Sequence, residues 1–343
     1  LQGVGGTDPA ADLPTPGADF GAPGADSVQD DNTGPEPATA RPTHAGYGKI
    51  ILLGEHSVVY GRHAIAAPIG LSIRAQIAPQ EHGIELVVAG VEADPAVDLS
   101  QRVAALVVRR LGVADSGMRI EVFPELPRAN GLGASAALAV AVIRAVADRF
   151  QLSIDDQEVS ALAFECERIV HGTPSGVDNT VATFGRTVLF RKRDGLATPE
   201  TSEIVTAHPI PVVIGLTGVR SLTAQTVGLV RSAWQRHPQR YESIFDQIDE
   251  LVLAGVQALR DGDIAQLGDL MNINQGMLAA LQVSSPELES LVGIARRAGA
   301  LGAKLTGGGG GGAMIAIAEP DGMAPITAAL QQAGYSTYLT EIR

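Results

Sequence analysis

Large apolar residues are scarce over residues 1–45, which are dominated by Gly, Pro, Ala and Asp, and then arrive in short dense runs. A segment of that composition cannot bury enough surface to offset its ordering entropy, so a disordered acidic tail is predicted there. Lys49–Leu53 (KIILL) reads as a short buried strand. Ile65–Ile77 alternates loosely around Pro68 and Gly70, which predicts strands near an edge or bend. Helical spacing marks Val97–Leu111, and Met118–Phe123 alternates as a strand. An Ala-rich helix is expected from Ser135 to Phe150, and a second over Asp156–His171. A turn-rich stretch, His171–Asn179, and a strand at Thr187–Arg191 follow.

The second half predicts a strand at Val212–Leu216, three or four helices between Ala224 and Ala300, and a glycine loop over Lys304–Gly312. A strand at Ala313–Ala318, a helix near Ala324–Ala333 and a last strand at Ser336–Thr340 complete the pattern. Strands and helices mix without a regular βα repeat. The reading is therefore α+β, with a tail over 1–45, an N-terminal domain over 46–205 and a C-terminal domain over 206–343.

Composition narrows the function. The 343 residues are 45% hydrophobic, enough for a substantial aliphatic core. Of the net charge of −13, a disproportionate share falls in the tail, where seven acids face one base, Arg41. An acidic body with no basic stripe argues against nucleic acid as the main partner. Cys166 is the single cysteine, so no intrachain disulfide can form, and a reducing compartment is compatible. No run approaches the ~18–20 apolar residues of a membrane span, and the N-terminus lacks the order of a signal peptide. A cytoplasmic protein without membrane attachment is expected.

Four stretches carry candidate chemistry. Pro127–Ala137 (PRANGLGASAA) places two glycines before a helix start, where backbone can approach a ligand and the helix end favours an anion. Such a turn suits a triphosphate, and Ser135 adds a hydroxyl where a phosphate-bound Mg²⁺ would sit. Alone, the stretch reads first as a helix start with a Ser cap, and no Gly-Lys-Ser/Thr follows to make a Walker A loop. In Glu165–Asn179 (ECERIVHGTPSGVDN), Glu167 sits at the margin of a helix's buried face and Asp178 follows a turn. Phosphoryl transfer to an alcohol needs a metal ligand and a group on the hydroxyl proton, and these two acids fit those roles.

Lys304–Leu305–Thr306 leads into six glycines, Gly307–Gly312, which run straight into an apolar strand. A linker gains nothing from that context, whereas a backbone loop against a ligand does. Gly48–His56 (GKIILLGEH) puts Lys49 at the head of an apolar strand. Facing Asp178, Lys49 would keep that carboxylate ionised and offset charge on a transferred phosphoryl group.

Together, Lys49–His56, Pro127–Ala137 and Lys304–Gly312 resemble the three ordered motifs of the GHMP kinases (galactokinase, homoserine, mevalonate and phosphomevalonate kinases). GKIILLGEHSVVYG, ERIVHGTPSGVDN and MNINQGMLAAL (Met271–Leu281) resemble the mevalonate kinase branch in particular. The resemblance covers nearly everything from Gly48 onward. It implies an N-terminal domain like ribosomal protein S5 domain 2, a ferredoxin-like C-terminal domain, and an active site between them using ATP and Mg²⁺.

Carried over by position, Asp178 is the catalytic carboxylate on the C5 hydroxyl of mevalonate and Lys49 its basic partner. Ser135 and Glu167 hold Mg²⁺. The nucleotide phosphates are wrapped by Gly131–Ala136 (Gly131, Leu132, Gly133, Ala134, Ser135, Ala136), with Pro127 and Asn130 on the approach. Glu55, His56, Thr223, Gly307 and Gly308 line the substrate side, with Arg220 competing with Thr223 as the polar contact. A small-molecule substrate is implied, and the resemblance leaves room for a homodimer.

Two departures stand out: Ala134 where the family has Ser, and Gly308 where it has Ala. The first removes a hydroxyl but spares Ser135. The second loosens the loop and puts pocket shape in doubt. Phosphomevalonate kinase is the nearest alternative, although the matched motifs carry no extra Arg or Lys for a second phosphate. A non-catalytic sensor of ATP and substrate is disfavoured by the presence of Lys49, Ser135, Glu167 and Asp178 together.

Overall fold

The longest strand, β2 (His63–Pro79), organises the first half, pairing antiparallel with β1 (Ala45–Leu53), β4 (Met118–Pro124) and β5 (Val188–Arg191). This computed structural model describes residues 44–90, 95–113, 117–127, 130–172, 174–192, 199–221 and 223–343. The expected tail, apart from its last two residues His44 and Ala45, lies outside them, as do Arg128 and Ala129 within the first glycine motif.

β3 (Ile84–Val88) joins β4 in parallel and β6 (Glu200–Glu203) closes the other edge, giving the order β3-β4-β2-β5-β6 with β1 also on β2. β2 is thus central as a whole, while the stretch around Pro68 and Gly70, the expected site of an edge or bend, pairs with β1 alone, because pairing with β5 ends at Ala66 and with β4 begins at Ile73. Pro68, which has no N–H to give, stands opposite Lys49 beside a register shift between Tyr47 and Lys49. The Lys49 N–H is sent elsewhere, to the carbonyl of Leu132 at 2.9 Å.

Helices α1 (Pro95–Arg110), α2 (Ala134–Arg149), α3 (Asp156–His171) and α4 (Val177–Phe184) complete this half. α2 is the central one, with Ala136, Ala137, Ala139, Val140, Ile143 and Val146 buried. α3 starts on a capping box: Asp155 accepts from Glu158 N at 2.8 Å, while Glu158 accepts from Asp155 N at 2.9 Å. α4 begins inside the stretch expected to be all turn, so Asp178 lies in the first turn of a helix.

The second half contains β7 (Ile210–Leu216), α5 (Thr223–Arg236), α6 (Pro238–Asp261), α7 (Ile264–Ala280), α8 (Pro286–Arg297), β8 (Gly302–Thr306), β9 (Ala313–Ile317), α9 (Met323–Gln332) and β10 (Ser336–Ile342). Its sheet runs β10-β7-β9-β8, all antiparallel, with β9 inserted between β7 and β8. That is the split βαβ order of a ferredoxin-like sheet. The expected boundary near 205 falls between β6 of the first sheet and β7 of the second. Both sheets belong to one compact unit.

Lys304–Thr306, expected as part of a loop, is strand β8, and the loop proper is Gly307–Gly312. This is no flexible linker. Five of its six glycines have φ between 69° and 134°, and all but Gly310 are buried. Gly310 N and Gly312 N donate to Val283 O and Val219 O, each at 2.8 Å.

Candidate active site

Two helices begin at one cavity of about 540 Å³. α2 is capped by Gly133 with no side-chain hydrogen bond, and α4 by Gly176, both in left-handed backbone. First-turn N–H groups and the positive dipole end favour an anion at each. A Cβ on Gly133 would come within 2.9 Å of Lys49 Cγ, so the bare glycine is what lets the lysine pass. Lys49 emerges from β1, runs under the turn and donates to Gly131 O at 3.2 Å. Its Nζ lies 3.2 Å from Asp178 Oδ1, with side-chain exposures of 4% and 29%. The lysine is enclosed and the aspartate faces the cavity.

Glu167, from the last turns of α3, lies at the same wall and is 2% exposed. Burial, reinforced by the nearby Asp178, pushes its carboxyl up to about 8; a hydrogen bond from Ser135 and the charge of Lys49 act the other way. Two carboxylates and a hydroxyl are hard oxygen donors, suited to Mg²⁺. Among the described residues, no group of three or more His, Cys, Asp or Glu could hold a metal. An ion here would therefore take few protein oxygens and lean on nucleotide phosphates, as Mg²⁺ does.

At one end the cavity is apolar, walled by Ile73, Val88, Val103, Val122 and Leu126. At the other lie His56, Val58, Val59, Pro174 and the first two turns of α5. His56 is 5% exposed, holds φ 60°, and donates from Nε2 to Gly308 O at 3.0 Å. Burial lowers its pKa to about 4 against the opposing pull of that carbonyl, so the ring is neutral. Gly131 and Gly307 face each other: a Cβ on Gly307 would sit 3.2 Å from Gly131 O. At Gly308, a Cβ would meet Thr223 Oγ1 at 2.7 Å. Thr223 thus occupies the space that the family's alanine methyl would need, so the bare glycine goes with a close α5 start and not with a looser loop.

Of the residues singled out from sequence, Lys49, His56, Asn130, Gly131, Leu132, Gly133, Ala134, Ser135, Glu167, Asp178, Thr223, Gly307 and Gly308 line this cavity, as does Arg220. Three do not. Pro127 stands outside the lining, Ala136 turns its methyl into the core, and Glu55 is fully buried behind β1 in an ion pair with Lys304.

Sequence reasoning missed Lys192, after β5, and Arg231, on α5, both of which line the α5 end. The 223/227/231 spacing was a usable signal for Arg231, since it stacks Thr223, Val227 and Arg231 on one helix face. It also missed the apolar wall, whose residues come from four separate elements.

Comparison with known proteins agrees with this architecture. Residues 98–186 match the GHMP kinases N terminal domain, and residues 256–336 match the GHMP kinases C terminal model. The mevalonate kinase of Thermococcus sibiricus is 34% identical over 86% of this chain and 94% of its own length. That of Pyrococcus abyssi is 34% identical over 86% and 93%. The crystal structure of L. major mevalonate kinase in complex with R-mevalonate superposes with a TM-score of 0.81 at 33% identity, covering 90% of this chain and 98% of that one. The chain belongs to the GHMP kinases and, within them, to the mevalonate kinase family.

Proposed function

We propose that this protein transfers the γ-phosphoryl group of ATP to the C5 hydroxyl of mevalonate. The observation that carries the reading is the Lys49–Asp178 pair, set beside the Gly131–Ser135 turn on one cavity wall. The base of ATP fits the apolar end, and its phosphates fit the turn and the start of α2. Asp178 faces the cavity from the first turn of α4, where it can orient the substrate hydroxyl and receive its proton. Lys49 pairs with it and offsets charge spreading onto the phosphoryl oxygens.

Glu167 and Ser135 would hold Mg²⁺, which when bound neutralises phosphate charge and orients the γ-phosphoryl. The α5 end, with neutral His56 and the cations Lys192 and Arg231, suits a short hydroxy acid whose carboxylate needs a positive partner. The protein would act as a soluble enzyme of the cytoplasm.

Those same cations favour a second reading, phosphomevalonate as the acceptor, because a second phosphate would also be met by Lys192, Arg220 and Arg231. ADP release measured with mevalonate, phosphomevalonate, galactose and homoserine separates the two. Preference for mevalonate is expected. A higher kcat/KM with phosphomevalonate would move the assignment to the second reading, and a preference for either sugar or amino-acid alcohol would remove both.

A further inference from the structure

Behind the cavity wall lies a polar cluster that the transfer chemistry does not touch. Lys304 of β8 and Glu55, just after β1, form an ion pair with both side chains at 0% exposure. Lys304 Nζ also donates to Leu305 O at 2.6 Å, and it lies 3.5 Å from Ile51 O. The second Glu55 oxygen accepts from Asn274 Nδ2 of α7 at 3.1 Å. Asn274 and its neighbour Gln275 belong to the Met271–Leu281 stretch, which has no place on the cavity surface. Gln275 Oε1 accepts from Leu305 N at 2.9 Å, and Asn272 Oδ1 from Ala303 N at 3.2 Å. α7 thus binds the free edge of β8 and reaches through it to Glu55.

Replacing a buried ion pair by packed apolar groups is often neutral or stabilising, so stability alone does not account for this one. What it anchors is unusual. Gly54 and His56 flank Glu55 with φ of 99° and 60°, and a non-glycine residue at positive φ persists only where its surroundings over-determine it. His56 donates from Nε2 to a carbonyl that can only accept, which fixes its tautomer and leaves Nδ1 as an acceptor. That Nδ1 is buried and has no hydrogen-bond partner among the described residues.

We propose that Lys304, Glu55 and Asn274 form a positioning device that holds the Gly54–His56 turn so that His56, locked on Gly308, sets the alcohol-substrate end of the cavity. Glu55 is then a positioning residue and not a substrate ligand. The claim rests on the reading of that end as the mevalonate site. It predicts that loss of the device alters the acceptor site and spares the nucleotide site, which is built from β1, α2 and the apolar wall.

The test uses the full chain with the double variant Lys304→Met/Glu55→Gln, which leaves no unpaired charge, and separately Asn274→Leu, which frees one Glu55 oxygen. Both are followed by thermal melting, by KM for mevalonate and for ATP, and by ¹⁵N NMR of labelled histidine. The double variant is expected to raise KM for mevalonate about tenfold with KM for ATP within twofold. Its His56 signals should move away from the single Nε2–H tautomer, and Asn274→Leu should shift the same quantities less. A folded double variant with unchanged His56 signals overturns the proposal. So does a parallel rise in both KM values, or failure of both variants to fold, which would assign the cluster to stability. The histidine spectrum decides the point even if wild-type protein releases no ADP with mevalonate, a result that would instead remove the substrate reading.

Discussion

Lys49 Nζ lies 3.2 Å from Asp178 Oδ1, joining the head of the first strand to the first turn of α4 across the start of α2. The lysine is enclosed by protein and the aspartate is open to the cavity. That asymmetry assigns the exposed partner to the substrate. Asp178→Asn is expected to lower kcat by about 10²- to 10⁴-fold, the usual worth of a positioned proton acceptor. Circular dichroism and the melting temperature should stay close to wild type. A collapsed fold would make Asp178 a structural residue.

Glu167 is held at the same wall by the Ser135 hydroxyl. Glu167→Gln keeps the shape and removes the charge. It should raise the Mg²⁺ concentration needed for half-maximal rate by about tenfold, an outer bound being the complete loss of metal response. A rate with unaltered Mg²⁺ dependence would exclude Glu167 as a ligand.

The glycine run separates two kinds of intolerance. At Gly309, φ is 72° and a Cβ would lie 2.2 Å from Val283 O, so Gly309→Ala meets both strain and backbone. The conformation alone costs about 1–2 kcal/mol, and a clear drop in melting temperature is expected. Gly308 has no such backbone demand, and its obstacle is the Thr223 side chain and Cα at the exposed end of α5. Gly308→Ala should fold, push the start of α5 outward, and change KM for mevalonate severalfold with little effect on melting. Equal destabilisation by both substitutions would contradict this account.

His56 gives a pH dependence with a definite sign. Its folded-state pKa, about 4, lies below the ordinary 6.5, because burial disfavours the charged ring. The unfolded chain therefore binds the extra proton first, and stability present above pH 6.5 is lost as pH falls toward 4. Between pH 7 and 5 the loss from this group is about 2 kcal/mol. Chemical denaturation of wild type and His56→Gln at both pH values measures it, and the variant should show the shallower decline. Parallel slopes would mean that His56 does not remain neutral.

Cys166 lies on the buried face of α3, and burial, with Glu167 and Glu165 nearby, pushes its thiol up to about 12. Thiolate is the reactive form, so native protein should resist iodoacetamide at pH 8 and react only in denaturant. Rapid native alkylation would show that α3 opens readily.

Where the signal was local, the sequence could be read directly. The helix expected over Asp156–His171 is α3, alternation marked Met118–Phe123, and the Gly-x-Gly before an Ala-rich helix marked the anion turn. Lys49, Ser135, Glu167 and Asp178 line one cavity, as their motifs suggested. What could not be read depends on partners far away in the chain. Pro68 marked a stretch paired on one side only, but nothing nearby reveals that β4 and β5 flank that stretch and make β2 central. Glu55 was placed on the substrate side by its position in the motif it shares with His56, while its own partner, Lys304, comes from the other sheet. The apolar wall escaped because each of its residues is an ordinary core residue in its own element.

The Thr306 hydroxyl both accepts from Ile51 N at 2.8 Å and donates to Ile51 O at 3.0 Å, stitching β8 to the strand that carries Lys49. This has a consequence for the nascent chain. Lys49 leaves the ribosome early and its strand pairs with β2, but Thr306 and the loop that faces Gly131 are translated near the end. The emerging N-terminal half therefore carries the nucleotide turn without the loop that faces it, and the cavity is complete only when the C-terminal sheet has docked.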